Sequence, residues 1–197
     1  MPVFRTNADR VKYLQLMARE GAESGLTFLG YCLMDNHVHL IVIPTAEDSL
    51  ARGIGEAHRK YTWLLNRREG VKGYLFQGRF FSCPLDDGHL VAATRYAERN
   101  PVRANMTERA WDYGWSSAAF HVGLTHDDAL VSDRGPCGPP GTWKKMLATD
   151  PDEMDILRKS SRTGRPCGSE AFIDFVEEFA NRSLRPKPRG RPPKIGT

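Results

Sequence analysis

The triplet His37-Val38-His39 and the pair Tyr96 and Asn100 are the residues whose types and spacing could do chemistry in this 197-residue chain. On an extended strand, residues i and i+2 point to the same face, so both imidazoles would project together at the spacing of two ligands to one cation. Two histidines cannot hold a metal unaided, so a third ligand and water or substrate oxygens are needed. Tyr96 and Asn100 lie four residues apart and share a face if the segment is helical. A phenol is a poor nucleophile at neutral pH, with a pKa of about 10. Beside a divalent cation that polarises a phosphodiester, it can attack phosphorus and form a phosphotyrosine. Asn100 could add an amide oxygen to the two imidazoles. Taken singly, each feature also has a plain structural reading: satisfied histidines, a core tyrosine and a helix-terminal asparagine.

The elements that must position these residues follow from periodicity and punctuation. Thr6 or Asn7 can cap a helix over about 8–24, with Val11, Leu14, Ala18 and Ala22 as its apolar stripe and Gly25 as a stop. Residues 27–33 read as a strand, Met34-Asp35-Asn36 as a tight turn, and 37–43 as a second strand ended by Pro44. Both faces of that second strand are largely apolar, which predicts a central, covered strand. Asp48 or Ser49 opens a helix carrying Leu50, Ile54, Ala57, Tyr61 and Leu64 at helical period. Residues 74–83 read as a strand with a bulge at Gly78, and Asp86 or Asp87 caps a helix to about Arg99, ended by Asn100-Pro101. The order α-β-β-α-β-α predicts an α+β fold with the content of a ferredoxin-like (RRM-like) antiparallel sheet, helices on one face and the first strand missing. A Trp-rich segment at 111–120 is expected to pack on the core. The predicted organisation is a domain over 1–125, a linker over 126–142, a helical extension over 143–182 and a basic tail over 183–197.

Three strings occur in order: Cys32-Leu33-Met34-Asp35-Asn36-His37-Val38-His39-Leu40, then Gln77-Gly78-Arg79-Phe80, then Arg95-Tyr96-Ala97-Glu98-Arg99-Asn100-Pro101-Val102-Arg103-Ala104. Together they closely resemble the REP-associated tyrosine transposases, a branch of the small single-tyrosine HUH transposases. Thr163-Gly164-Arg165-Pro166, Ser169-Glu170-Ala171-Phe172 and the Gly-Arg-Pro-Pro-Lys ending look like the same branch. The resemblance implies that His37 and His39 are metal ligands, that Tyr96 is the nucleophile and that Asn100 is a third, amide ligand. It implies Mg²⁺ or Mn²⁺ as cofactor, and single-stranded DNA near a hairpin, typically a repetitive extragenic palindrome, as substrate. Cleavage would leave a 3′-hydroxyl and a 5′-phosphotyrosine that a second 3′-hydroxyl can reverse, with no nucleotide triphosphate. Such transposases usually begin with a strand upstream of the string that is here Pro2-Val3-Phe4. A start codon placed too far downstream is the expected reason; a fragment or a strand supplied by a partner are the other two.

Charge agrees with a polyanionic partner. Arg182, Arg185, Lys187, Arg189, Arg191 and Lys194 give the last 16 residues +6 with no acid; the whole chain carries +4, which leaves −2 for the first 181. Residues 51–79 hold seven Lys or Arg against Glu56 and Glu69. Two basic islands on a near-neutral body point to nucleic acid, with a solvated helix face as the plain reading of the inner one. Arg59, Lys60, Arg67, Arg68, Lys72, Arg79 and Arg103 are the expected DNA contacts in the body, and Tyr61, Trp63, Tyr74 or Phe76 either stack on unpaired bases or pack in the core. Pro188-Arg189-Gly190-Arg191-Pro192 resembles an AT-hook core, in which Arg189 and Arg191 would lie along an A·T minor groove; a generic basic tail is the alternative.

No run approaches the roughly 18 apolar residues of a membrane span. Cys32, Cys83, Cys137 and Cys167 show no C-x-x-C and read as reduced thiols of a cytoplasmic protein. The sequence thus predicts a metal-dependent transposase acting as monomer or homodimer. A hairpin-binding protein of the same descent that no longer cuts is the alternative. A metal hydrolase using only the histidine pair would leave Tyr96 and the tail without a task.

Overall fold

The computed structural model describes residues 2–186. Helix α1 spans Asn7–Glu23 and opens with a capping box: the Thr6 hydroxyl accepts from Asp9 N (3.2 Å) while the Asp9 carboxylate accepts from Thr6 N (2.9 Å). Its buried face is formed by Tyr13, Leu14, Leu16 and Met17, whereas Val11 and Ala22, expected on the apolar stripe, are exposed. The larger side chains decide the rotation. Tyr13 sits edge-on to Phe4 (5.2 Å) and Tyr61 (5.3 Å), which buries far more area than the Val11 line could.

Strands β1 (Leu26–Leu33) and β2 (Val38–Pro44) pair antiparallel, with Cys32 opposite His39 and Gly30 opposite Ile41. A π-helical stretch, Ala51–Gly55, runs into α2 (Glu56–Glu69), which ends at Gly70 in the left-handed conformation (φ 66°). Helix α3 spans Asp87–Glu98, and the short α4 (Asn100–Arg103) follows it directly. Side chains alternate across the sheet. Tyr31, Leu33, Val38, Leu40 and Val42 join the main core with α1 and α2, while Ile41 packs with Ala92, Ala93 and Tyr96 of α3. Helices therefore cover both faces, correcting the expectation of helices on one face only.

Two further expectations change. Residues 74–83 form no strand. The edge of β1 not bonded to β2 is taken by residues 115–117 instead: Leu33 N donates to Trp115 O (2.8 Å) and Ser117 N to Tyr31 O (3.1 Å). Gly78, at φ 139°, also interrupts the extended run, and a strand without a ladder partner leaves its backbone groups unpaired. The second correction is that β2 is a half-buried edge strand rather than a central one, because among the described residues it pairs only with β1. The architecture is α+β around a two-stranded antiparallel sheet.

The remaining chain wraps this core. Helices α5 (Ala118–His121), α6 (Pro140–Met146), α7 (Met154–Thr163) and α8 (Glu170–Ala180) follow, with 3-10 turns at Ala110–Asp112 and Gly135–Cys137. Residues 126–142, expected as a linker, are largely exposed but touch the body at three points: Val131 bridges to Phe28, Asp128 accepts from the Tyr31 hydroxyl (3.1 Å), and Cys137 is buried. The helical extension expected over 143–182 holds the end of α6, all of α7, and α8, the last capped by Ser169. All four cysteines are free. No described helix is long and apolar enough to cross a membrane. Arg189 and Arg191, expected on DNA, lie outside the described residues.

Candidate active site

The turn between the strands sets the first half of the site. Met34 N donates to His37 O (2.9 Å), closing the turn, and the Asn36 amide oxygen lies 2.7 Å from His37 Nδ1. His37 thus immediately precedes β2 rather than lying within it, yet its ring still meets that of His39 edge-on, 4.9 Å between centroids. Burial pushes the pKa of His37 down and that of His39 further, to about 3, with His37 and Arg103 adding to the effect on His39. Both rings are neutral at pH 7 and keep a lone pair for a cation.

Helix α3 supplies the second half. Asp86 caps it, accepting from His89 N (2.8 Å), and its other oxygen accepts from Ser169 N (2.7 Å). Ala92, Ala93 and Ala97 are buried, so the helix lies close on the sheet. Gly30 makes that approach possible: a Cβ there would meet Thr94 Cγ2 at 3.0 Å. Tyr96 consequently projects to His39, the two rings edge-to-face at 5.7 Å.

Asn100 follows at the start of α4, and Arg103 ties it to the tyrosine. Arg103 Nη2 donates to the Tyr96 carbonyl (2.6 Å) and to Asn100 Oδ1 (2.7 Å), and the guanidinium lies 4.2 Å from the centre of the Tyr96 ring. Asn100 Nδ2 is buried without a partner. Arg103, expected on DNA, therefore faces inward, with a third bond from Nη1 to Asp150 Oδ1 (3.0 Å).

Of the other expected DNA contacts, several are held by carboxylates: Arg59 by Glu56 (2.7 Å), Lys60 by Glu20 (2.6 Å), and Arg68 by Asp9 and Glu69 (both pairs ≤ 2.8 Å). Arg67, Lys72 and Arg79, together with Arg59, line a groove of about 1070 Å³ between α2 and residues 71–80. Trp63 (55% exposed) and Tyr74 (94%) stand on its rim, with the Arg67 guanidinium 5.3 Å from the Trp63 ring centre. Tyr61 is core, its hydroxyl donating to Val3 O (3.0 Å), and Phe76 stacks on His58 at 4.0 Å.

His58 is half-buried in that stack with its Nε2 2.9 Å from the Tyr13 hydroxyl, and the loss of solvent around it lowers its pKa to about 4. A histidine whose folded pKa lies below its unfolded value of about 6.5 favours the native state above that pH and loses this advantage as the pH falls through it. Acidification from pH 7 to 4.5 is expected to cost about 2 kcal/mol at His58 alone, and a similar amount at His39. Urea titrations at the two pH values check this, and an unchanged midpoint between them would contradict it.

Sequence reasoning passed over Glu98. It is fully buried, and its carboxylate accepts from Ser117 Oγ (2.6 Å), His121 Nδ1 (2.5 Å) and Trp143 Nε1 (2.8 Å). Its place inside the Tyr96–Asn100 string was the available signal. Nothing in the sequence pointed to its partners.

With this geometry in place, comparison with known proteins decides the family. The profile described as "Transposase IS200 like" matches residues 2–100, a span that holds His37, His39, Tyr96 and Asn100. The chain belongs to the IS200-like transposases. Neither a curated protein nor a solved structure matches it.

Among the described residues no group of three or more His, Cys, Asp and Glu side chains is placed to hold a metal ion. What this IS200-like transposase presents at the site is two neutral imidazoles side by side, His37 and His39, with the Asn100 amide oxygen accepting from Arg103. Neutral imidazole nitrogens suit a divalent cation whose other positions are filled by oxygens from water or a phosphate.

Proposed function

We propose that this IS200-like transposase belongs to the REP-associated branch, and that it nicks and rejoins single-stranded DNA beside hairpins in the cytoplasm. The observation that carries this reading is the unbroken run of rings His37–His39–Tyr96, at 4.9 and 5.7 Å. His37 and His39, with Asn100, would hold Mg²⁺ or Mn²⁺, which when bound polarises the scissile phosphodiester. Tyr96 is the nucleophile. Its oxygen bonds to phosphorus as the bond to the 3′ oxygen breaks, and a 3′-hydroxyl leaves. The bond energy is kept in a 5′-phosphotyrosine, so another 3′-hydroxyl can reverse the step on a second strand without a nucleotide triphosphate. The β-turn and α3 supply the orientation that makes such an in-line attack fast.

The groove beside α2 is the proposed path for the unpaired strand. Arg67, Lys72 and Arg79 would neutralise phosphates, while Trp63 and Tyr74 offer exposed ring faces to bases. Trp63→Ala and Tyr74→Ala are each expected to weaken single-strand binding by about 1–3 kcal/mol. Fluorescence anisotropy with a labelled oligonucleotide checks this; unchanged affinity in both would remove the groove from the path.

The reading as a whole is tested by incubating the chain with a pool of labelled single-stranded hairpins and Mn²⁺, then resolving the products on a denaturing gel. A covalent protein–DNA band that EDTA and His39→Ala both abolish is the expected result. Tight hairpin binding with no covalent band would favour a transposase-derived protein that binds and does not cut.

A further inference from the structure

Arg95, Arg99 and Arg103 recur every fourth residue, so they share one face of α3 and its continuation α4. All three reach the same segment, 146–150. Arg95 donates to the carbonyls of Met146 (2.6 Å), Thr149 (2.7 Å) and Asp150 (2.9 Å). Arg99 Nε donates to Asp150 Oδ1 (2.8 Å), and its Nη1 to the Leu147 carbonyl. Arg103 donates to the same Asp150 oxygen and, unlike the other two, also touches Tyr96 and Asn100. Asp150 lies outside the matched residues 2–100.

We propose that Asp150 is a positioning residue for Tyr96, acting through Arg103, which it holds against the tyrosine ring and the Asn100 amide. This rests on the reading of Tyr96 as the nucleophile. The donor geometry supports it. A guanidinium is a rigid planar fork. Both Nη2 hydrogens are committed to Tyr96 O and Asn100 Oδ1, and Asp150 fixes the plane from its other arm. Arg103 and Arg99 are largely buried, at 13% and 10% side-chain exposure, so neither is free to swing into water without opening the 146–150 segment. Asp150 itself is held ionised: burial raises its pKa, but the bonds from Arg99 and Arg103 outweigh that and bring it below the usual carboxylate range. Without this anchor, the guanidinium can turn on its long stem and the ring loses the cation stacked on it.

The test uses the full chain in two measurements. The first is the NMR signal of ¹³Cε-labelled tyrosine without metal or DNA, the Tyr96 signal being the one missing in Tyr96→Phe. Asp150→Ala should move it to the position seen in Arg103→Gln, and Asp150→Asn, which keeps an acceptor but not the charge, should move it part of the way. The second is covalent adduct formation with a labelled single-stranded hairpin and Mn²⁺. At saturating hairpin the rate should fall about tenfold or more in Asp150→Ala and recover in part in Asp150→Asn, with hairpin affinity within about twofold of wild type. A Tyr96 signal at its wild-type position in Asp150→Ala overturns the proposal, as does a loss of affinity that matches the loss of rate. Should Asp150→Ala fail to fold, the displacement in Asp150→Asn decides: moved supports, unmoved overturns. If the wild-type chain forms no adduct, the functional reading fails, and the NMR signal still decides the positioning role by itself.

Discussion

Tyr96→Phe is expected to abolish covalent capture of hairpin DNA while leaving hairpin affinity within about twofold. The substitution removes one oxygen and keeps the ring. The edge-to-face contact with His39 at 5.7 Å and the Arg103 guanidinium at 4.2 Å therefore both persist. The helix does not move, because what holds α3 on the sheet is the packing of Ala92, Ala93 and Ala97 and the bonds of Glu98, none of which involve the phenol. On the proposed reading only the nucleophile is lost, and a transesterification without its attacking oxygen has no residual path. Adduct formation measured on a denaturing gel checks the first half, and anisotropy of a labelled hairpin the second. Cleavage that continued at the wild-type rate would mean that water is the attacking group.

Glu98→Ala is expected to destabilise the fold by about 3–5 kcal/mol, a large part of the stability of an ordinary domain. The reason is what the substitution leaves behind. Ser117 Oγ, His121 Nδ1 and Trp143 Nε1 all donate to this one carboxylate in the interior, and each unpaired buried donor costs about 1–3 kcal/mol. His121 and Trp143 are fully buried, so water cannot replace the lost acceptor without opening the packing between α3, α5 and α6. Glu98→Gln should cost less, since its amide oxygen can still accept, though its NH₂ would face a donor. Urea denaturation of the two variants checks the order, and a loss below about 1 kcal/mol in Glu98→Ala would show that the network is not the joint between these helices.

How much of this was legible in the sequence depended on the range of the interactions. The Thr6 cap, the turn at Met34–Asn36 and the α3 cap at Asp86 are local chemistry, and they lie where the residue types predict. The spacing of His37 and His39, and of Tyr96 and Asn100, was legible as two separate pairs, and only the resemblance to a known family joined the histidines to Tyr96; His37 in fact precedes β2. The packing of sheet and helix together rests on small residues, Gly30 and the alanines of α3, whose role appears only when the partner element is known. Residues 74–83 carry a strand-like pattern, but a strand exists only with a neighbour, and the open edge of β1 is filled by residues some 35 positions further on. Charge was the least informative signal at residue level. Arg59, Lys60 and Arg68 count as a basic island in the sequence, yet each is paired in the fold with a carboxylate from α1 or α2. Arg103 looked like a phosphate contact and is instead tied to Tyr96, Asn100 and Asp150.

The measurement that tests the central claim most directly is the mapping of the covalent bond. The wild-type adduct with a hairpin carrying single-stranded flanks would be isolated, digested with trypsin and nuclease, and sequenced by tandem mass spectrometry. The account predicts a nucleotide 5′-phosphate on the Tyr96 hydroxyl and a free 3′-hydroxyl on the released strand. A phosphate attached to any other residue, or strands cut with no protein attached, would contradict it.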